Sequence, residues 1–181
     1  MKIIFFSDIH GMAETLKKLL YHADNMHADQ LVILGDILYH GPRNGVPDVY
    51  DPPEVVKLLN ARKNSLLAVR GNCDSEVDQM LLEFPIMAEY VILSEGSRMI
   101  FATHGHKWNE KNMPPLHGGD ILLHGHTHIP ECKEYRENII MNPGSATIPK
   151  KKSHHGYMTL ENGTFLWKDF DGNVIHTYQI K

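Results

Sequence analysis

Short apolar runs that stop at polar turns alternate with helically spaced stretches along the first half of this chain. Leu31-Val32-Ile33-Leu34 is the clearest run. Closed by Gly35 and followed at once by Asp36, it predicts a buried strand over residues 30–34 with a carboxylate at its carboxyl end. Residues 2–6 predict an earlier strand, which delivers Ser7-Asp8-Ile9-His10-Gly11. Side chains two apart in extended backbone point the same way, so Asp8 and His10 can reach one ion together while Ile9 faces the core. Between the two runs, Leu16, Leu19, Leu20, Ala23 and Met26 recur at helical spacing with Lys17 and Lys18 outward, predicting a helix over 12–26. Strand, polar turn and helix make a βα unit, and an α/β fold follows.

The pattern repeats downstream. A Pro- and Gly-punctuated segment over 39–53 carries His40 and Arg43 and reads as a substrate-facing loop, because long loops inside compact domains are usually functional or disordered. A helix is expected over 53–63, then a third strand over 66–69 ending in Arg70-Gly71-Asn72-Cys73-Asp74, and a short helix over 75–82. Strands over 90–93 and 99–103 follow, joined through Glu95-Gly96-Ser97-Arg98, and the second delivers His104-Gly105-His106. Residues 107–119 are irregular. A strand over 121–123 delivers His124-Gly125-His126-Thr127-His128, and another over 139–141 runs into the turn Asn142-Pro143-Gly144-Ser145. The last third changes character: runs at 157–160, 165–167 and 174–180 are separated by Asn162-Gly163 and Asp171-Gly172, strong hairpin signals. Parallel βα units thus lead into antiparallel strands with no linker. The expected fold is a single domain over 1–181, α/β in a four-layer α+β arrangement, with two packed mixed β-sheets flanked by helices.

Composition narrows the functional classes. With 18 basic and 22 acidic residues and a net charge of -4, the chain lacks the clustered Lys and Arg of a nucleic-acid surface. The apolar stretches are too short for a membrane span or signal peptide, so a cytoplasmic protein is expected. Two cysteines, Cys73 and Cys132, make no disulfide framework. The 13 histidines stand out, above all where they pair as His-x-His. Open α/β sheets form sites at the carboxyl ends of their strands, where the polar turns gather.

Taken in order, Asp8-x-His10, Gly35-Asp36, Gly71-Asn72-x-Asp74, His104 and Gly125-His126-x-His128 resemble the calcineurin-like metallophosphoesterases. The Gly71-Asn72-Cys73-Asp74 stretch and the His40-Gly41-Pro42-Arg43-Asn44 loop are closely similar to the bacterial YfcE-type phosphodiesterases, and the resemblance covers almost the whole chain. It implies the metallophosphoesterase fold and two metal ions, one held by Asp8, His10, Asp36 and His128, the other by Asp36, Asn72, His104 and His126. Spacing alone leaves His104 and His106 open; the family position selects His104. Imidazole, carboxylate and amide donors suit divalent transition metals, manganese first, with zinc, iron or nickel as alternatives. The implied reaction is hydrolysis of a phosphodiester by a metal-bridging hydroxide, with a phosphomonoesterase or a non-catalytic scaffold as alternatives.

One position departs from the family. Where most relatives carry a His that Asp74 would orient, this chain has Cys73, a shorter side chain and a weak donor. Asn72, Cys73, Asp74 and His40 are the candidate catalytic residues, with His40 or His106 as stand-ins for the missing proton donor. The expected partner is a small phosphoester. Homo-oligomerisation, as a dimer or tetramer, is also expected, through apolar segments such as Phe84-Pro85-Ile86-Met87 and the terminal hairpins.

Overall fold

The computed structural model describes residues 1–180; Lys181, the last residue of the expected domain, lies outside them. Each early apolar run becomes a strand: β1 (Ile3–Phe6), β2 (Gln30–Ile33) and β3 (Leu66–Ala68). They pair in parallel in the order β1-β2-β3, as βα units require. Helix α1 (Ala13–Asn25) follows β1, and helix α2 (Pro52–Asn60) precedes β3. The start of α2 is chemically fixed: the Asp51 side chain accepts from the Glu54 N–H, and prolines fill the first helical positions, where no donor is needed. Helix α3 (Glu76–Leu81) opens on a capping box between Ser75 and Asp78.

The remaining strands are β4 (Tyr90–Glu95), β5 (Arg98–Thr103), β6 (Ile121–His124), β7 (Pro130–Tyr135), β8 (Asn138–Pro143), β9 (Gly156–Glu161), β10 (Thr164–Asp169) and β11 (Val174–Gln179). One six-stranded sheet has the order β11-β10-β9-β1-β2-β3, and a five-stranded sheet has the order β4-β5-β6-β8-β7. Both are mixed. β7 has no counterpart among the expected strands. It is an edge strand that pairs with β8 alone and reads Pro-Glu-Cys-Lys-Glu-Tyr, so proline and charge, which suit an unpaired edge, hid it from a hydrophobic pattern.

Alternation along β1 explains the layers. Ile3 and Phe5 point between the sheets, where they join Val32, Leu34, Ala102 and Leu123. Ile4 and Phe6 point the other way and pack with Leu16 and Leu19 of α1 and Val55 and Leu59 of α2. The outer face of the five-stranded sheet carries Phe101, Leu122 and Ile140, covered by Trp108, Met113 and Leu116 of the irregular 107–119 segment rather than by a helix. Phe84 and Ile86, expected on an exposed self-association surface, are instead buried in the helix-side core. The exposed apolar side chains nearby are Val77, Met80 and Leu81 of α3, and Val174 and Ile175 are exposed on β11.

Candidate metal centre

Sheet register brings the expected strand tips together. Beyond the last ladder pair the chains go on bonding: Asp8 N–H donates to Gly35 C=O at 3.1 Å, His10 N–H to Asp36 C=O at 3.0 Å, and Gly125 N–H to His104 C=O at 2.9 Å. The close approach requires small residues. A methyl on Gly71 would collide with Asp36, and one on Gly125 would collide with Ser7. Asp8, His10, Asp36, His126 and His128 all have positive φ, between 49° and 65°, a backbone region unfavourable for side chains of this size.

That backbone aims donors at one point. Asp36 Oδ1 accepts from Cys73 N–H at 2.8 Å, which leaves Oδ2 facing His10 Nε2 at 3.7 Å and His104 Nε2 at 3.5 Å. Asp8 is built alike: Oδ2 accepts from His126 N–H at 3.1 Å, while Oδ1 faces His128 Nε2 at 3.3 Å and His10 Nε2 at 3.8 Å. On the other side of Asp36, His104 Nε2 lies 3.0 Å from Asn72 Oδ1 and 3.2 Å from His126 Nδ1. The outer ring nitrogens are occupied. Nδ1 of His10, His104 and His128 bonds to the carbonyls of Tyr39, Leu34 and Ile148 at 2.7, 2.6 and 2.7 Å. Nδ1 therefore carries the proton in each neutral ring, and the Nε2 lone pair is directed inward, as metal-ligating imidazoles require.

Electrostatics agree with that geometry. Burial works against ionisation of Asp8, but the adjacent His128 and His104 rings outweigh it and hold the carboxyl far below its usual range. Burial, with His104 alongside, pushes His126 down to about 4, so the ring is neutral near pH 7 and its lone pair is free. Burial would lower His128 too, yet the Asp8 carboxylate 3.3 Å from its Nε2 raises it.

Do these residues fit a metal? Asp8 Oδ1 and His10 Nε2 are buried without a hydrogen-bond partner, a costly arrangement unless something else satisfies them. Donor atoms of Asp8, His10 and His128, of Asp8, Asp36 and His104, and of His10, Asp36 and Cys73 lie within 4.8 Å of one another. The mixed nitrogen and oxygen set suits divalent transition metals. The donors fit.

Residues 1–164 match the calcineurin-like phosphoesterase superfamily domain. The chain belongs to that superfamily. It is 45% identical over 162 residues to the phosphodiesterase YfcE of Escherichia coli (strain K12), covering 90% of this chain and 88% of the relative. The solved structure of YfcE, a phosphoesterase from E. coli, superposes with a TM-score of 0.96 at 42% identity over 100% of both chains. The probable metallophosphoesterase YsnB of Bacillus subtilis (strain 168) is 26% identical over 190 residues, covering 99% of this chain and 97% of the relative. Divalent-metal dependence belongs to the family.

Within this phosphoesterase, other residues singled out from sequence take different places. Asp74 does not face the centre. Its two oxygens accept from three backbone N–H groups, those of Asp36, Ile37 and Gly71, at 2.8, 2.8 and 2.7 Å, so it fixes the tips of β2 and β3 instead of orienting a catalytic side chain. The His40 ring packs against Tyr39 and Tyr50, and His40 is not among the residues that line the cavity over Asp36. Cys73 lines that cavity with Asn72. Burial, with Asp36 adding to it, pushes the Cys73 thiol up to about 12. His106 lines a neighbouring cavity, with its ring centroid 5.4 Å from that of His104.

Sequence reasoning missed the bracing residues at the end of β8 and just after it. Asn142 Nδ2 donates to Gly125 C=O at 2.7 Å and Thr127 Oγ1 at 3.0 Å, holding the Gly-His-x-His turn. Thr147 Oγ1 and Ser145 Oγ donate to Asp8 C=O at 2.6 and 3.2 Å. Asn142-Pro143-Gly144-Ser145 was legible only as a turn, yet it is one more polar strand tip beside the others. Lys150, the first residue of the basic triplet Lys150-Lys151-Lys152, lines the cavity over Asp36.

The arrangement predicts that Asp74→Asn costs stability as well as activity. An amide NH₂ must face donors that now point at a carboxylate, and the expected loss is about 2–3 kcal/mol in metal-free protein, read from urea unfolding. A variant as stable as the parent would remove Asp74 from this bracing role.

Proposed function

We propose that the protein is a metal-dependent phosphodiesterase acting on small diesters. In this reading Asp8, His10, Asp36 and His128 hold one divalent cation, and Asp36, Asn72, His104 and His126 hold a second. The observation that carries it is Asp36 Oδ2, one carboxylate oxygen set between His10 Nε2 and His104 Nε2 at 3.7 and 3.5 Å. When bound, the ions supply Lewis acidity toward phosphoryl oxygens and a water acidified toward neutral pH. Two carboxylates and an amide beside the imidazoles favour manganese, with zinc, iron or nickel as alternatives.

The chain's own residues do the rest. Carbonyl bonds to Nδ1 keep three imidazoles in one tautomer, so their donor atoms stay aimed before substrate arrives. Cys73 is no nucleophile here, because a thiol pushed up to about 12 is protonated at neutral pH. As a proton donor to the leaving oxygen it is weak, and His40 does not line the cavity. Hydrolysis must therefore favour diesters whose leaving groups depart as anions. The identity to a named phosphodiesterase supports the diester reading. Among the described residues no helix is long and apolar enough to cross a membrane, consistent with small esters met in solution.

Chelation followed by manganese add-back tests the metal requirement, with bis(p-nitrophenyl) phosphate as substrate. Activity should vanish and return, and Asp36→Asn should fall by at least about 100-fold; turnover that survives chelation would refute the reading. A series of aryl and alkyl diesters tests the missing acid. Rates should drop steeply as leaving-group pKa rises, and Cys73→His should recover up to about 10²-fold on the poorest leaving groups. A flat series in the parent would mean that a proton donor is present.

A further inference from the structure

Two cations sit in the cavity over Asp36 without an evident task. This space of about 650 Å³ has buried His10 and Asp36 in its wall, and Arg43 and Lys150 line it as exposed side chains. Several cations elsewhere on the surface are paired: Arg62 lies 2.7 Å from Asp24, Lys63 2.5 Å from Glu83, and Lys17 2.8 Å from Glu14. Among the described residues, no ion pair includes Arg43 or Lys150. The adjoining cavity, about 350 Å³ and sharing His126 and Thr127, mixes both signs: Glu110 and Glu131 lie 2.6 and 2.9 Å from its Lys133, beside Lys111 and Lys151.

Both cations stand on braced backbone. Lys150 N–H donates to His128 C=O at 3.1 Å, and Lys150 C=O accepts from Ser153 N–H at 3.0 Å and Ser153 Oγ at 2.7 Å. Lys151 and Lys152 then take positive φ, which turns the triplet sharply on top of a metal-facing histidine. Across the cavity, Asn44 closes the Arg43 turn: its N–H donates to Gly41 C=O at 3.2 Å and its Nδ2 to His40 C=O at 2.8 Å. In a chain of net charge -4, two unpaired cations fixed beside one centre are a local excess.

A diester phosphate carries a single negative charge, and two divalent ions facing Asp8 and Asp36 already over-neutralise it. We propose that Arg43 and Lys150 bind a second anionic group, a phosphate or carboxylate borne by the substrate away from the scissile phosphorus. The substrate class is then a diester with an additional anion on one of its alcohol halves. Arg43 offers a planar fork to such an oxyanion and Lys150 a point charge. This deepens the phosphodiesterase reading and rests on it.

Three esters decide the matter: p-nitrophenyl thymidine 5′-phosphate, its 3′-phosphorylated form and its 3′-O-succinyl form, all followed by p-nitrophenol release with manganese. At low salt the KM of the charged esters should be about tenfold below that of the plain one, and the advantage should shrink at high salt, where screening is strong. A phosphate advantage without a succinyl one assigns the pair to phosphate; equal advantages assign it to any anion. The ratio should fall to about one in Arg43→Gln/Lys150→Gln, return in Lys150→Arg with Arg43 intact, and be unchanged in Lys63→Gln, on a distant surface. Equal KM values for all three esters would overturn the proposal while leaving the diesterase reading intact. A ratio that persists in the double variant would do the same, as would a double variant that weakens binding of p-nitrophenyl phosphate instead, since the pair would then serve the scissile phosphate. Hydrolysis of none of the esters would refute both readings.

Discussion

The carboxylate of Asp74 is the constraint on which the centre depends. It is buried, and its two oxygens take the backbone N–H groups of Asp36, Ile37 and Gly71, tying the turn after β2 to the turn after β3. That tie places Cys73 N–H on Asp36 Oδ1 and turns Oδ2 toward both histidine groups. Burial pushes the Asp74 carboxyl up, the three backbone hydrogen bonds oppose that shift, and they act where water cannot compete. A side chain that does not face the centre thus decides where the Asp36 carboxylate points.

The same economy runs through the rest of the rim. Each metal-facing carboxylate spends one oxygen on a backbone N–H from a neighbouring tip and keeps the other free. Each of His10, His104 and His128 spends Nδ1 on a carbonyl and keeps Nε2 free. Left-handed backbone at five of the seven proposed ligands is unfavourable by roughly 1 kcal/mol or more at each position, and the two apolar layers around the six-stranded sheet supply what offsets it. Strain held in this way keeps the donors convergent without a metal, at the expense of leaving Asp8 Oδ1 and His10 Nε2 buried and unpartnered. Cation binding would relieve that frustration, so affinity and fold are coupled at this rim.

Much of this was legible in the chain itself. Parallel strands 2–6, 30–34 and 66–69 announced themselves as apolar runs because both their faces are buried, and each closed on the polar residue that the structure carries to the rim. β7 was not, because an edge strand that begins with Pro130 and carries Glu131, Lys133 and Glu134 has no hydrophobic period to read. Nor were the jobs of Asp74 and His40. Sequence shows that a carboxylate or imidazole lies near a site, but which backbone amides or aromatic rings capture it is settled by contacts between turns 37 residues apart, or by the packing of Tyr39 and Tyr50. Lys150 was hidden for the opposite reason. A basic triplet looks like a solvated loop until the pairing of its backbone with His128 puts it beside the centre.

Anomalous diffraction from crystals grown with manganese addresses the central claim most directly. Two peaks are predicted, one beside Asp8, His10 and His128 and one beside Asn72, His104 and His126, both within bonding distance of Asp36. A single peak, or two peaks of which only one touches Asp36, would contradict the account of a carboxylate shared between two ions.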